Sequence, residues 1–348
     1  MAVKTYAASV IGASHLRKPN PICEDSSWYD KDGEISGAIV LAVADGHGSD
    51  QCKYSSDGSK EAVKVFHTII KQLVEDERLN GNLKGFKNTP FKDVELTKQI
   101  SQKWINRITH VHRNNKEREQ EFDKPSKLSP LDMVYKKAEK HTDWYWDVDP
   151  MLYGTTLLGI AIMGDDILVY QIGDGDIVIV DDDGVRNLID GDHFLGVETY
   201  SLAHKNSWNY AKTDVVTVKD LHKKPCLIML SSDGLANSYA SEEEFHNACK
   251  DYYQVIRDNG FDAVCKAIGN DKEGWLRETS DGGCGDDISL ALAYFTPEDE
   301  NKDATTCDNK HEDAKTIEED PEAVSAQKNN KEERTEFKEL EFTEVESK

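Results

Sequence analysis

The stretch Ala44-Asp45-Gly46-His47-Gly48-Ser49 constrains this chain most. It follows the apolar run Ala38-Ile39-Val40-Leu41-Ala42-Val43, which is short, β-branched and bounded by Gly37 and Gly46, and so reads as a buried strand. A strand ending in Asp-Gly-His-Gly presents a carboxylate, a bare backbone carbonyl and an imidazole at one edge. Glycine lets the chain turn sharply and brings backbone close to a ligand. An Asp there is a ligand for a hard cation, and the adjacent His is a proton carrier. Taken alone, Asp-Gly is also a common turn, and the motif is compatible with a simple hairpin corner.

Charge narrows the partners. The 348 residues carry 42 Lys+Arg against 66 Asp+Glu, a formal charge of -24. Nucleic acid and anionic membrane surfaces are disfavoured, because both want a basic face; cations are drawn in. Cys23, Cys52, Cys226, Cys249, Cys265, Cys284 and Cys307 are odd in number, scattered and without a CxxC pair. That argues against a disulfide framework or a zinc site and fits a reducing compartment. No apolar run approaches a membrane span and the first residues lack a leader pattern. A cytoplasmic protein is expected.

Residues 1–296 read as one globular domain. Residues 297–348 are crowded with Glu, Asp, Lys and Asn, cannot bury enough surface to offset chain entropy, and are expected to be a disordered acidic tail. Strands are expected at Tyr6–Ile11, Ile39–Ala44, Thr155–Met163, Ile167–Ile172, Ile177–Asp181, Val215–Val218, Leu227–Ser231 and Ile288–Phe295, many joined by short turns such as Gly164-Asp165-Asp166. Short turns favour antiparallel hairpins over βαβ units. Apolar residues at helical spacing predict helices over Ser59–Glu75, Val94–Asn114, Ser241–Ile256 and Phe261–Ile268, the third opened by a Ser241/Glu244 capping box. The fold class is α+β, with sheets packed on each other and helices outside. The Trp144-Tyr145-Trp146 cluster is read as packed against the domain rather than as a binding surface.

Five further motifs repeat the chemistry of the first. Cys23-Glu24-Asp25, Gly154-Thr155-Thr156, Gly173-Asp174-Gly175-Asp176, Ser231-Ser232-Asp233-Gly234-Leu235 and Gly285-Asp286-Asp287-Ile288-Ser289 each end or begin an expected strand. Several acids at strand ends would converge on one end of the sheets. Convergent carboxylates repel unless a cation intervenes. Hard divalent ions, Mg2+ or Mn2+, resolve that conflict. Two such ions about 3.5–4 Å apart clamp a phosphoryl group and acidify water, which is chemistry for phosphate-ester hydrolysis.

In that order, the motifs resemble the metal-dependent Ser/Thr protein phosphatase family, type 2C, from about Ala7 to Phe295, with the look of a bacterial branch. The resemblance implies a four-layer fold, a central antiparallel β-sandwich flanked by helices. It implies two Mn2+ or Mg2+ ions and a weaker third. Asp45 matches the bridging carboxylate, Gly46 the carbonyl ligand, Asp233 and Asp286 the remaining acids, and Glu24 and Asp25 the acidic pair near the metals. Asp174 matches an acid of the third site, and His47 the general acid. Attack by a metal-bound water would need no covalent intermediate. Phosphorylated proteins and a cognate Ser/Thr kinase are the implied partners of a monomer.

Two positions depart from the family pattern. The usual phosphate-gripping Arg, five residues before Asp25, is replaced by Asn20; His15, Arg17 and Lys18 lie close by as substitutes, with His15 and Arg17 equally readable as plain surface residues. Asn237 stands where many relatives carry an Asp of the third metal site. These departures keep a second reading open, a pseudophosphatase that binds phosphoproteins or a kinase without turnover. Hydrolysis of small phosphorylated metabolites is a third reading. His67, His110, His112, His193 and His204 have no matching role.

Overall fold

The computed structural model describes residues 2–30, 35, 37–75, 83, 90–115, 148–189, 199–219, 221 and 224–296. The Trp144-Tyr145-Trp146 cluster, His193 and the tail 297–348 lie outside the described residues. In chain order the strands are β1 (Ala2–Val10), β2 (Ser26–Tyr29), β3 (Ile39–Ala44), β4 (Leu157–Met163), β5 (Asp166–Ile172), β6 (Asp176–Asp181), β7 (Gly184–Asn187), β8 (Lys212–Thr217), β9 (Cys226–Ser231) and β10 (Ile288–Thr296). The helices are α1 (Ser55–Glu75), α2 (Pro90–Asn114), α3 (Asp233–Ala236), α4 (Glu242–Asn259), α5 (Phe261–Ile268) and α6 (Trp275–Gly282).

The strands form two five-stranded sheets, ordered β1-β10-β9-β6-β7 and β2-β3-β4-β5-β8. Every pairing is antiparallel. Alternation along each strand explains the layers. Leu41 and Val43 of β3 face Ile228 and Leu230 of β9 and Ala291 and Ala293 of β10 in the core between the sheets. Val40, Ala42 and Ala44 turn the other way, onto Phe66 and Ile70 of α1 and Ile100 and Trp104 of α2. Leu290, Leu292 and Tyr294 of β10 pack outward on Phe245, Tyr252 and Ile256 of α4 and Phe261 of α5. The result is helices, sheet, sheet, helices, the expected α+β sandwich. No helix among the described residues is long and apolar enough to cross a membrane.

The differences from the sequence reading have physical causes. Helix α1 begins at Ser55, four residues earlier than Ser59. Gly58 lies inside it because a Cβ there would sit 1.9 Å from the Tyr153 carbonyl oxygen, and the Gly58 carbonyl accepts the Trp104 indole N–H at 2.9 Å. The capping box on α4 is present in modified form: Ser241 Oγ accepts from Glu244 N at 3.2 Å, while the Glu244 carboxylate accepts from Ala240 N at 3.1 Å. Strands β2 and β7 and helices α3 and α6 carry too few apolar residues to announce themselves.

Candidate metal and catalytic site

Strand register brings the nominated acids to one end of the sandwich. β2 begins where β3 ends (Ser26 opposite Ala44), and β4 begins beside the end of β3 (Val43 opposite Leu158) and opposite the end of β5 (Leu157 opposite Ile172). In the other sheet β1 ends where β10 begins (Val10 opposite Ile288), and β9 ends opposite the starts of β10 and β6 (Ser231 opposite Leu290 and Asp176). Glu24 and Asp25 therefore precede β2, Asp45 follows β3, Asp174 lies between β5 and β6, Asp233 opens α3 after β9, and Asp286 leads into β10, all at this end.

The carboxylates are one another's main electrostatic neighbours. Burial first, and then Asp287, pushes Asp25 well above the usual carboxylate range, with Asp233 and Asp286 adding to the effect and a Ser232 hydrogen bond opposing it. Asp45 is pushed well up by burial and then by Asp25, Asp233 and Asp286. Asp45 and Asp233 are hydrogen-bonded to each other. Burial, helped by Asp174 and Asp286, raises Asp233 to about 6 against that hydrogen bond. Oδ2 of Asp25 is buried with no hydrogen-bond partner. Crowded, buried carboxylates are unfavourable unless they are protonated or share a cation. All-oxygen donors with orphaned atoms among them, Asp25 Oδ2 and Glu24 Oε2, fit a hard divalent ion of the Mg2+ or Mn2+ kind.

The Gly-Thr-Thr motif fixes Asp45. Thr156 Oγ1 accepts from Asp45 N at 2.9 Å, and the Asp45 carbonyl accepts from Thr156 N and from Thr155 Oγ1, each at 2.8 Å. Gly46 is buried and bridges Thr155. His47 N donates to the Gly154 carbonyl at 3.1 Å. Burial and then the nearby His204 ring bring the His47 imidazole down to about 4. A phosphate dianion beside it would favour the protonated ring.

A second cluster braces the acidic pair. His15 Nδ1 lies 2.8 Å from Asp287 Oδ1, and His15 Nε2 lies 3.6 Å from Glu24 Oε2. One ligand atom from each of His15, Glu24 and Asp287 falls within 4.8 Å of the others. The buried Asp287 also accepts from Gly12 N and Glu24 N, tying the loop after β1 to the loop before β2. Glu24 Oε1 accepts from Ser55 Oγ at 3.2 Å, while Oε2 lies 3.7 Å from Lys18 Nζ. Gly48 lies directly against this carboxylate: a Cβ there would sit 2.3 Å from Glu24 Oε2.

The fold and these strand-end acids can be set beside known proteins. A family model for protein phosphatase 2C matches residues 11–268. The chain belongs to the protein phosphatase 2C family. Among solved structures, the catalytic domain of the serine/threonine phosphatase PstP in complex with two manganese ions is similar at 14% identity and a TM-score of 0.45, over 84% of this chain and 99% of that one. An S. agalactiae serine/threonine phosphatase is similar at 17% identity and a TM-score of 0.42, over 85% and 100%. A C. elegans sex-determining protein is similar at 14% identity and 0.45, over 86% and 66%. No curated protein sequence gives a match. Membership rests on the family model.

Within this 2C-family chain the two candidate phosphate groups part company. His15 is turned inward between two carboxylates, whereas Arg17 and Asn20 are exposed. Asn237 follows α3 and donates its side-chain amide to Asp233. Two groups had no assigned role in the sequence. Asp287 is the acceptor that joins Gly12, His15 and Glu24, and only its adjacency to Asp286 hinted at it. His204 affects His47 from a segment more than 150 residues away, and nothing local announced it.

Proposed function

We propose that this chain is a divalent-metal-dependent phosphatase acting on phosphoserine and phosphothreonine of proteins. The reading rests above all on Asp25, Asp45, Asp233 and Asp286, four carboxylates from four strand ends that crowd together with an orphaned oxygen among them. These side chains, with the Gly46 carbonyl and Glu24, would hold two Mn2+ or Mg2+ ions, and Asp174 would lie beside a weaker third. When bound, the ions supply electrophilic activation of a phosphate ester and acidification of water. The chain's own contribution is positional: Thr155 and Thr156 lock Asp45, and Asp287 with His15 braces Glu24. His47 is the proton donor to the departing serine or threonine oxygen. Residues 1–296 are the proposed catalytic domain, and the acidic segment 297–348 is left out of it. The described cysteines are free, which fits a reducing, cytoplasmic setting; phosphoproteins or a kinase are the partners this reading implies for a monomer.

The test is hydrolysis of para-nitrophenyl phosphate and a phosphothreonine peptide with Mn2+ or EDTA, for wild type, Asp45→Asn and Asp233→Ala. Mn2+-dependent turnover that both substitutions abolish supports the reading. A folded, Mn2+-loaded wild type without turnover sinks it. One observation favours the pseudophosphatase alternative: Asn237 caps an Asp233 oxygen that a metal would use. That reading predicts phosphoprotein binding unchanged by Asp233→Ala.

A further inference from the structure

On the outer helical layer, α4 and α6 and the turn after α3 line an open cleft of about 370 Å³. That volume is in the range of small ligand sites. Tyr239, Tyr252 and Trp275 supply aromatic walls. Trp275 and Tyr252 meet edge to face, 5.3 Å between centroids at 88°. Tyr239 is hydrogen-bonded to Thr279 across the cleft, so the turn after α3 and helix α6 are tied together. The charged residues of the lining are Asp251 and Glu278, both exposed, and neither has an ion-pair partner among the described residues.

We propose that this cleft is a docking groove for an arginine side chain on a basic segment of a partner protein. A guanidinium stacks on indole and phenol faces and is drawn to their π electrons. Its planar fork then meets carboxylates with charge-assisted hydrogen bonds. The groove offers both features and no competing Lys or Arg. The chain's net charge of -24 steers a basic segment toward it. The chain's own segment 297–348, rich in Glu and Asp, is a poor occupant by like charge. None of the lining residues is one of the clustered acids, so the proposal does not depend on turnover.

The experiment titrates full-length protein with an acetylated Gly-Arg-Arg-Gly peptide, following Trp fluorescence and calorimetry in EDTA. Gly-Glu-Glu-Gly and Gly-Ala-Ala-Gly peptides serve as counterparts. Saturable binding of the arginine peptide alone is expected. Asp251→Asn with Glu278→Gln weakens it about tenfold, and Trp275→Leu about fivefold. The paired acid substitutions change exposed side chains only, so they keep the test sound if Trp275→Leu does not fold. Asp183→Asn with Asp214→Asn, exposed acids outside the groove, leaves the affinity unchanged. Equal binding of the alanine or glutamate peptide overturns the proposal. So does an equal loss in the Asp183/Asp214 variant, which would mean diffuse attraction to the whole acidic surface.

Discussion

The Asn237 side-chain amide donates to Oδ2 of Asp233 across 2.9 Å. An amide hydrogen there neutralises part of the carboxylate's pull on a cation. Asn237→Asp removes the donor and adds like charge beside Asp233. Without metal it should lower stability by about 1 kcal/mol. With Mn2+ it should bind more metal than wild type, read as a higher calorimetric stoichiometry and a larger rise in melting temperature. Equal stoichiometry in the two proteins would mean that Asn237 does not limit metal occupancy.

Gly48 reads from sequence as a turn former, yet its φ is not positive. Its role is space: a Cβ there meets the far end of the Glu24 side chain. Gly48→Ala should keep the fold, since a flexible carboxylate can swing aside. Mn2+ affinity should fall about tenfold as Glu24 is displaced. Calorimetric titration beside a melting curve separates the two effects, and an unchanged Mn2+ affinity in the folded variant would contradict this.

Asp287 accepts from Gly12 N, Glu24 N and His15 Nδ1 at a buried position. Asp287→Ala leaves the buried Gly12 amide and the half-buried Glu24 amide without an acceptor and should cost about 3 kcal/mol of stability. His15→Ala removes one partner only and should cost about 1 kcal/mol. Urea unfolding of both variants checks the ratio; similar losses would show that the backbone amides find other partners.

Glu61 on α1 meets Arg107 Nε of α2 at 2.6 Å and Lys64 Nζ at 3.0 Å. Burial alone would raise its pKa, but these cations outweigh burial and hold it below the usual 4.5. The folded state therefore favours the ionised form, so its contribution is present above pH 4.5 and is lost as pH falls through the folded value. Arg107→Ala should cost about 1 kcal/mol at pH 7, discounted for the exposed guanidinium. The gap to wild type should close in strongly acid solution. Stability curves against pH for both proteins give the answer, and a gap independent of pH would point to lost packing instead.

How much of this was legible follows from burial. Strands β3, β4, β9 and β10 are buried on both faces and read as continuous apolar runs. β2 begins Ser-Ser and is held partly through hydroxyls: Ser26 bonds Ser59, and Ser9 bonds Ser27 and Ser289. No periodicity reports such pairs. β7 is an edge strand of Gly, Val, Arg and Asn. Helix α6 follows Gly274 at φ 109 with no side-chain cap, and hides Arg277, whose guanidinium donates to the Ile11 carbonyl. The Asp of each Asp-Gly pair was readable because strand ends share an edge. Asp287 was not, since its meaning depends on Gly12, 275 residues distant.

Strand β10 lies between β1 and β9, so that Ala2 pairs with Thr296. On a ribosome, β1 is made first and β10 last of the described strands. Until β10 emerges, the nascent chain holds β1 with no neighbour in its own sheet, and β9 keeps an open edge beside it. Asp286 and Asp287, just ahead of β10, are also the last of the clustered acids to be translated. Release of that final segment closes the sheet and completes the acid cluster in one event, so a chain cut short before residue 288 should be both unfolded and unable to gather the carboxylates.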